Sequence, residues 1–191
     1  MKQIGLFFGS FNPIHIGHLA LANYMCEFEN MDEVWLVVSP QNPFKKSVDL
    51  IETDQRIKMV ELATENYANM RVETIETTLP TPSYTINTLE ALQKQYKDCF
   101  FNIIMGADNI QNIHRWKDSD MILSNYCIYV YPRLGYSTDG IELPLSCKIT
   151  QAPIIEISST QVRQWLKAGK TIPYFTPEKV ISYVKENKLY Q

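Results

Sequence analysis

The chain alternates short apolar runs with longer segments whose apolar residues recur at helical spacing. Unbroken apolar runs bounded by turn residues predict strands, and they suit parallel strands that are covered on both faces. The strands predicted in this way are residues 3–8, 33–38, 99–105 and 126–131, with a last one near 153–157. Residues 70–75 are also predicted to form a strand, because their apolar and polar residues alternate. The predicted helices cover about 15–28, 54–67, 83–96, 158–168 and 177–187, with short helical pieces across 107–123.

Turn chemistry places some of the helix starts and the loops. Thr53 is predicted to cap the helix over 54–67, and Ser83, after the turn TLPTP, is predicted to cap the next one. Residues 132–152 contain Pro, Gly and Ser in close succession and predict an irregular loop.

This order of elements is typical of an α/β fold with a Rossmann-like open parallel sheet and helices on both faces. The sequence has no internal repeat and no linker, so we expect one domain over residues 1–191 with a small helical C-terminal part at 157–191. Folds of this class bind ligands at the carboxyl ends of their strands, where the strand order reverses.

Composition excludes several functions. The 191 residues carry a net charge of -3, which argues against a nucleic-acid backbone as the main partner. No apolar run approaches the ~20 residues that span a membrane, and the apolar stretch after Met1 is too short for a signal peptide. Four cysteines without C-x-x-C spacing predict reduced core thiols. We therefore expect a cytoplasmic protein with no nucleic-acid and no membrane partner.

The first candidate site is the segment GSFNPIHIGH, residues 9–18, which follows the first predicted strand. Gly9 allows a close turn, and Gly17 lets another group approach the first helical turn. His15 and His18 are three residues apart, so they share one face of the helix N-terminus, whose N–H groups and dipole suit a phosphate. The alternatives are two packing histidines, or a zinc site that lacks a third ligand at compatible spacing.

The second candidate site is ISSTQVR, residues 157–163. Ser and Thr at a helix start present hydroxyls and backbone N–H groups, and Arg163 adds a fork-shaped donor one turn further on. The alternative is an ordinary helix cap with Arg163 on the surface.

Together these segments resemble the signature of the nucleotidyltransferase superfamily, which has a (T/H)-x-G-H element after strand one and ISSTxxR before a C-terminal helix. Within it, nearly the whole chain resembles the nicotinate-nucleotide adenylyltransferases. Further support comes from SPQNPFK, PSYTINTL and GAD, and from Trp116. The chain departs from the family at Asn12 and Asn87, where Asp is common.

The resemblance implies transfer of AMP from ATP to nicotinate mononucleotide, giving nicotinate adenine dinucleotide and pyrophosphate in NAD biosynthesis. It implies a catalytic set of His15, His18, Lys45 and Arg163. The implied ATP-binding residues are Gly9, Ser10, Phe11, His15, His18, Gly106, Asp108, Ile157, Ser158, Ser159, Thr160 and Arg163. The implied nicotinate-nucleotide-binding residues are Ser39, Lys45, Tyr84, Thr85 and Trp116.

The chemistry of this reaction agrees with the residues available. The attacking phosphate is mostly dianionic at pH 7 because its second pKa is about 6, so no general base is needed. Positioning and electrostatics then supply most of the catalysis. Mg²⁺ is expected as a bridge carried by the ATP phosphates, without protein metal ligands. The start of the predicted helix at Tyr84 and Thr85 would favour the nicotinate carboxylate over an amide.

Two other functions are compatible with the sequence. One is a sister transferase with an acceptor such as phosphopantetheine, against which PSYT and Trp116 argue. The other is a nucleotide sensor that keeps the fold without turnover. The sequence leaves the oligomeric state open, and a homo-oligomer is compatible with it.

Overall fold

The computed structural model describes residues 1–43, 50–138 and 143–190, which form a six-stranded sheet flanked by helices. All neighbouring strands are parallel, in the order β3-β2-β1-β4-β5-β6. The strands are β1 (Lys2–Gly9), β2 (Glu33–Val38), β3 (Met70–Glu73), β4 (Cys99–Gly106), β5 (Cys127–Tyr131) and β6 (Cys147–Ile149). The strand order reverses between β1 and β4, and the predicted Rossmann-like fold is confirmed.

Helices cover both faces of the sheet within the described residues. They are α1 (Ile16–Phe28), α2 (Thr53–Thr64), α3 (Thr85–Gln95), α4 (Ala107–Ile110), α5 (Ser119–Asn125), α6 (Ser159–Lys167) and α7 (Glu178–Glu186). Short 3-10 helices lie at Ile75–Thr78 and Ile113–Arg115. None of these helices is long and apolar enough to cross a membrane.

The two faces of the sheet bury separate apolar clusters. One packs α1, α2 and α7 against the sheet through side chains such as Leu19, Met59 and Val180. The other packs α3, α4 and α5 through side chains such as Leu89 and Ile122. All four cysteines are free thiols and only half-buried. Burial of both faces explains why β1, β2 and β4 consist largely of apolar residues.

The predicted strand near 153–157 is wrong, because the last strand is β6, inside the predicted loop 132–152. The N–H of Thr150 still donates to the carbonyl of Val130, but Pro153 has no N–H to continue the ladder. The apolar segment that follows, which includes Ile154 and Ile157, lines a cavity instead.

Both predicted caps are also wrong. Thr53 is the first residue of α2 and Glu52 precedes it at the cap, while the Thr53 hydroxyl accepts a hydrogen bond from Arg56. Helix α3 begins at Thr85 with Tyr84 at its cap. The N–H of Ser83 donates to the Gln41 carbonyl at 2.9 Å, which ties the segment before α3 to the loop after β2.

Candidate active site

A cavity of about 780 Å³ lies at the carboxyl ends of the strands and is lined by both candidate segments. Residues 9–18 and 157–163 are therefore brought together, although about 140 residues separate them. Lys45 lies outside the described residues, and Gly106 is not part of the lining. The lining includes Gly9, Ser10, Phe11, His15, His18, Ser39, Tyr84, Thr85, Asp108, Trp116, Ile157, Ser158, Ser159, Thr160 and Arg163.

The two candidate segments interlock through direct contacts. A Cβ on Gly17 would lie only 2.7 Å from Cγ2 of Ile157, so this glycine admits the second segment. The Ser159 hydroxyl donates to the Pro13 carbonyl at 2.9 Å, and Nη1 of Arg163 donates to the Asn12 carbonyl at 2.9 Å. The Ser159 hydroxyl is thus used within the protein. We call this unit, residues 9–18 with 157–163, the phosphate side of the cavity.

Neighbouring side chains pack closely against Gly9 and Gly106, where a larger residue would collide with them. The ring of Phe11, whose φ is 45°, folds back so that a Cβ on Gly9 would lie 2.8 Å from its Cζ. A Cβ on Gly106 would collide with Asp108 and with Cδ of Arg133. Both glycines therefore allow neighbouring side chains to reach the cavity edge.

The two histidines form a stacked pair. Their ring centroids are 3.7 Å apart at an interplanar angle of 25°, and the backbone N–H of His15 donates to Nδ1 of His18 at 3.2 Å. An accepting Nδ1 carries no proton, so the proton of neutral His18 is on Nε2, which is a donor. Burial, and then the charge of Arg133, lower the pKa of His15 to about 4. His15 is therefore neutral at pH 7.

The helices α1 and α6 differ in how the backbone N–H groups of their first turns are used. The first N–H of α1, from Ile16, donates to the Phe175 carbonyl at 2.9 Å, which differs from the sequence expectation. At α6, Ser158 forms a capping box with Gln161. The N–H groups of Ser159 and Thr160 have no acceptor among the described residues. These two N–H groups at the start of α6 can therefore donate to an anion bound at the phosphate side.

Arg133 is a site residue that the sequence reasoning missed. It follows the carboxyl end of β5, lines the cavity and forms an ion pair with Asp108, with Nη1 and Oδ2 3.2 Å apart. The other carboxylate oxygen of Asp108 is buried and has no hydrogen bond among the described residues. The available signal was its position directly after an apolar strand, where this fold binds ligands.

Arg56 is a second residue that sequence reasoning missed. Its side chain is fully buried in α2, and its pKa is lowered by burial. All five N–H groups donate, and none of the acceptors is a carboxylate. The acceptors are the carbonyls of Ser10, Ser39, Pro40 and Ile51 and the Thr53 hydroxyl, at 2.8–3.2 Å. The guanidinium thus holds the turns after β1 and β2 and leaves a positive charge behind them.

Another wall of the cavity contains a buried carboxyl group. Glu76 is only 2% exposed, and Thr88 donates to its Oε1 at 2.8 Å. Burial raises the pKa of Glu76, while Thr88 and the nearby hydroxyls of Ser39 and Ser83 oppose that rise. We call this wall, with Tyr84, Thr85 and Trp116, the acceptor side.

The start of α3 on the acceptor side offers unpaired donors. The N–H groups of Tyr84 and Thr85 donate to no group among the described residues, which agrees with the sequence expectation. Lys117 also lines the cavity, with Nζ 5.3 Å from the Tyr84 ring centroid and 3.2 Å from Oδ1 of Asn87. This wall therefore suits an anionic group on an aromatic ligand.

No group of three or more His, Cys, Asp or Glu side chains within residues 1–43, 50–138 and 143–190 is arranged to hold a metal ion. Several side chains on the phosphate side, such as those of His18, Thr160 and Arg163, carry N–H or O–H donors, which fit phosphate oxygens.

Comparison with known proteins defines the class of this chain. Residues 6–165 match the cytidylyltransferase-like family, and the chain belongs to that family. The nucleotidyltransferase resemblance of the sequence is thereby confirmed. A Flavobacterium johnsoniae relative, named probable nicotinate-nucleotide adenylyltransferase, is 47% identical over 191 residues and 99% of each chain. A Bacteroides fragilis relative of the same name is 52% identical over 91% of this chain and 86% of its own.

Solved structures share the fold at lower identity. The Plasmodium falciparum nicotinic acid mononucleotide adenylyltransferase complexed with NaAD has a TM-score of 0.82 at 19% identity. The match covers 100% of this chain and 98% of that chain.

Proposed function

We propose that this protein is a nicotinate-nucleotide adenylyltransferase of NAD biosynthesis, which transfers AMP from ATP to nicotinate mononucleotide. The observation that carries the proposal is one cavity with a donor-rich phosphate side and an aromatic, anion-compatible acceptor side. Relatives that share 47% and 52% of their aligned residues with this chain carry the same enzyme name.

The reaction is one in-line displacement at the α-phosphorus of ATP. A phosphate oxygen of nicotinate mononucleotide forms the new P–O bond, and the bond from the α-phosphorus to the bridging oxygen of the β-phosphate breaks. Pyrophosphate leaves with that electron pair. The activation free energy arises from bringing two anions together and from the crowded transition state, which the enzyme must stabilise.

The proposed roles follow from the donors at each wall. Nε2–H of His18 stabilises the α-phosphate in the transition state, and neutral His15 supports it by stacking and by orienting Nδ1. The N–H groups of Ser159 and Thr160, with Arg163, hold the β- and γ-phosphates that leave. Lys45 remains part of the proposed catalytic set. The Asp108 carboxylate, together with its neighbour Gly106, is proposed to bind ribose.

The acceptor nucleotide is proposed to lie against the acceptor side. Trp116 stacks on the pyridine ring, and the N–H groups of Tyr84 and Thr85 bind its carboxylate. An amide that turned its NH₂ towards these donors would leave them unpaired, at about 1–3 kcal/mol for each buried group.

Mg²⁺ is proposed to be carried by the ATP phosphates, whose negative charge it would neutralise. The chain is further proposed to work as one domain in the cytoplasm, with residues 157–191 contributing to the ATP phosphate site.

A pyrophosphate-release assay tests the proposal. ATP should be supplied with no acceptor, nicotinate mononucleotide, nicotinamide mononucleotide or phosphopantetheine in parallel. We expect release to depend on a pyridine mononucleotide, with the dinucleotide as second product. ATP binding without release for any acceptor would indicate a sensor, and release with phosphopantetheine would indicate the sister transferase.

A further inference from the structure

The last described residue, Tyr190, reaches back to the glycine turn. Its hydroxyl donates to Oδ1 of Asn12 at 2.7 Å across 178 positions of sequence. Asn12 is only 6% exposed and lines the cavity. The segment that carries Tyr190 also packs on the core, with Leu189 beside it and Val184 in the preceding helix. The contact is therefore anchored by apolar burial.

Tyr190 lies close to both arginines that brace the phosphate side. The charges of Arg163 and Arg56 each lower the pKa of Tyr190, although burial outweighs them and raises it. The hydroxyl therefore keeps its proton at neutral pH and acts as a donor to Asn12. Because Arg163 donates to the backbone carbonyl of Asn12, this residue is held at two points.

The two contacts to Asn12 act on the turn that carries the histidine pair. The turn from Ser10 to His15 connects β1 to the histidine pair, and Arg56 fixes its start through the Ser10 carbonyl at 2.8 Å. Without the Tyr190 hydroxyl, the Asn12 side chain would lose a hydrogen bond in a poorly solvated place. Arg163 would then be held by a less constrained carbonyl.

We propose that Tyr190 is a positioning residue of the ATP site, acting through Asn12 on the turn that carries the histidine pair and on Arg163. The inference rests on the proposed adenylyl transfer. It also gives Asn12, which stands where the family often has Asp, a role as hydrogen-bond acceptor for Tyr190.

The test is Tyr190→Phe, which keeps the ring and its packing and removes only the hydroxyl. We expect KM for ATP to rise about threefold to tenfold, the scale of one hydrogen bond, with KM for the acceptor unchanged. Tyr183→Phe in α7, whose ring packs on the same core, is the matched control and should behave as the unmodified protein.

A variant cycle separates positioning from packing. In an Asn12→Asp background, which keeps an oxygen acceptor, Tyr190→Phe should have a similar effect. In an Asn12→Ala background, the same substitution should have almost none. An equal effect in the Ala background, or an unchanged KM for ATP in the single variant, would overturn the proposal.

Calorimetric binding of α,β-methylene-ATP provides a readout that does not need turnover. We expect the same loss of affinity in Tyr190→Phe as in KM. Absence of adenylyl transfer in the unmodified protein would refute the proposed function. An analogue affinity unaffected by Tyr190→Phe would refute the role of Tyr190.

Discussion

The two walls of the cavity are built differently. The phosphate side is assembled from segments far apart in sequence, and hydrogen bonds from Ser159, Arg163 and Tyr190 brace its turn. The acceptor side is built mostly from residues 76–88, with a buried carboxyl group whose pKa is raised by burial and with no buried cation among its described residues. The phosphate side thus depends on long-range positioning of donors, and the acceptor side on one helix start. Substitutions should therefore separate ATP binding from acceptor choice.

The largest effect is expected for His18→Ala on the phosphate side. Loss of the Nε2–H donor should lower kcat by roughly 10²–10³, the scale of one transition-state donor. The fold should persist because the side chain is half-buried at a helix start. His114→Ala, which changes an exposed histidine outside the cavity lining, is the control. Near-normal turnover of a folded His18→Ala protein would remove His18 from the catalytic set.

On the acceptor side, Thr85→Pro should change the selectivity between nicotinate and nicotinamide mononucleotide. Thr85 is the first residue of α3, a position where proline is tolerated, so the substitution removes one N–H without breaking the helix. We expect the nicotinate-over-nicotinamide preference in kcat/KM, on the order of 10- to 1,000-fold, to be abolished. Thr85→Ala keeps the N–H and should keep most of the preference. A preference unchanged by proline would place the carboxylate elsewhere.

The buried histidine predicts a pH dependence of stability. The pKa of His15 falls from 6.5 in the unfolded chain to about 4 in the fold, so the unfolded chain binds more protons between these values. The free energy of unfolding should therefore decrease as pH falls through this window, by about 2 kcal/mol from pH 7.5 to 5.

Urea denaturation of the unmodified protein and of His15→Gln at both pH values measures this contribution. The variant should lose less stability on acidification, because it lacks the titrating ring. Equal losses in the two proteins would show that His15 is not held neutral by the phosphate side.

A smaller effect is expected for Arg163→Lys. Lysine keeps the charge but cannot donate to the Asn12 carbonyl and a phosphate with the same fork. We expect KM for ATP to rise roughly tenfold with little change in acceptor KM. A change confined to the KM for the acceptor would show that Arg163 acts on the acceptor and not on ATP.

Local patterns in the sequence predict much of this arrangement. Strand 33–38 is predicted at its observed bounds, because both faces are buried and the apolar run is unbroken. The cavity lining at residues 9–18 and 157–163 follows from placing motifs at strand ends and helix starts. These features depend on neighbours in sequence.

Other features depend on partners that no local pattern reveals. In the sequence, Arg56 looks like an ordinary polar helix position, but its acceptors lie in the turn after β1, at residues 39–40 after β2, and at residues 51–53. The contact of Tyr190 spans 178 positions. The apolar run at 153–157 resembles a strand, but Pro153 has no N–H to continue the ladder, and the segment lines the cavity instead. The errors thus lie where tertiary contacts outweigh local preference.

The most direct test of the two-wall account is a crystal structure of the protein with nicotinate adenine dinucleotide. The account predicts the nicotinate carboxylate within about 3 Å of the N–H groups of Tyr84 and Thr85, the distance of a hydrogen bond. It also predicts the adenylyl phosphate beside His18. A nicotinate ring bound at the start of α6, or a carboxylate with no contact to α3, would contradict it.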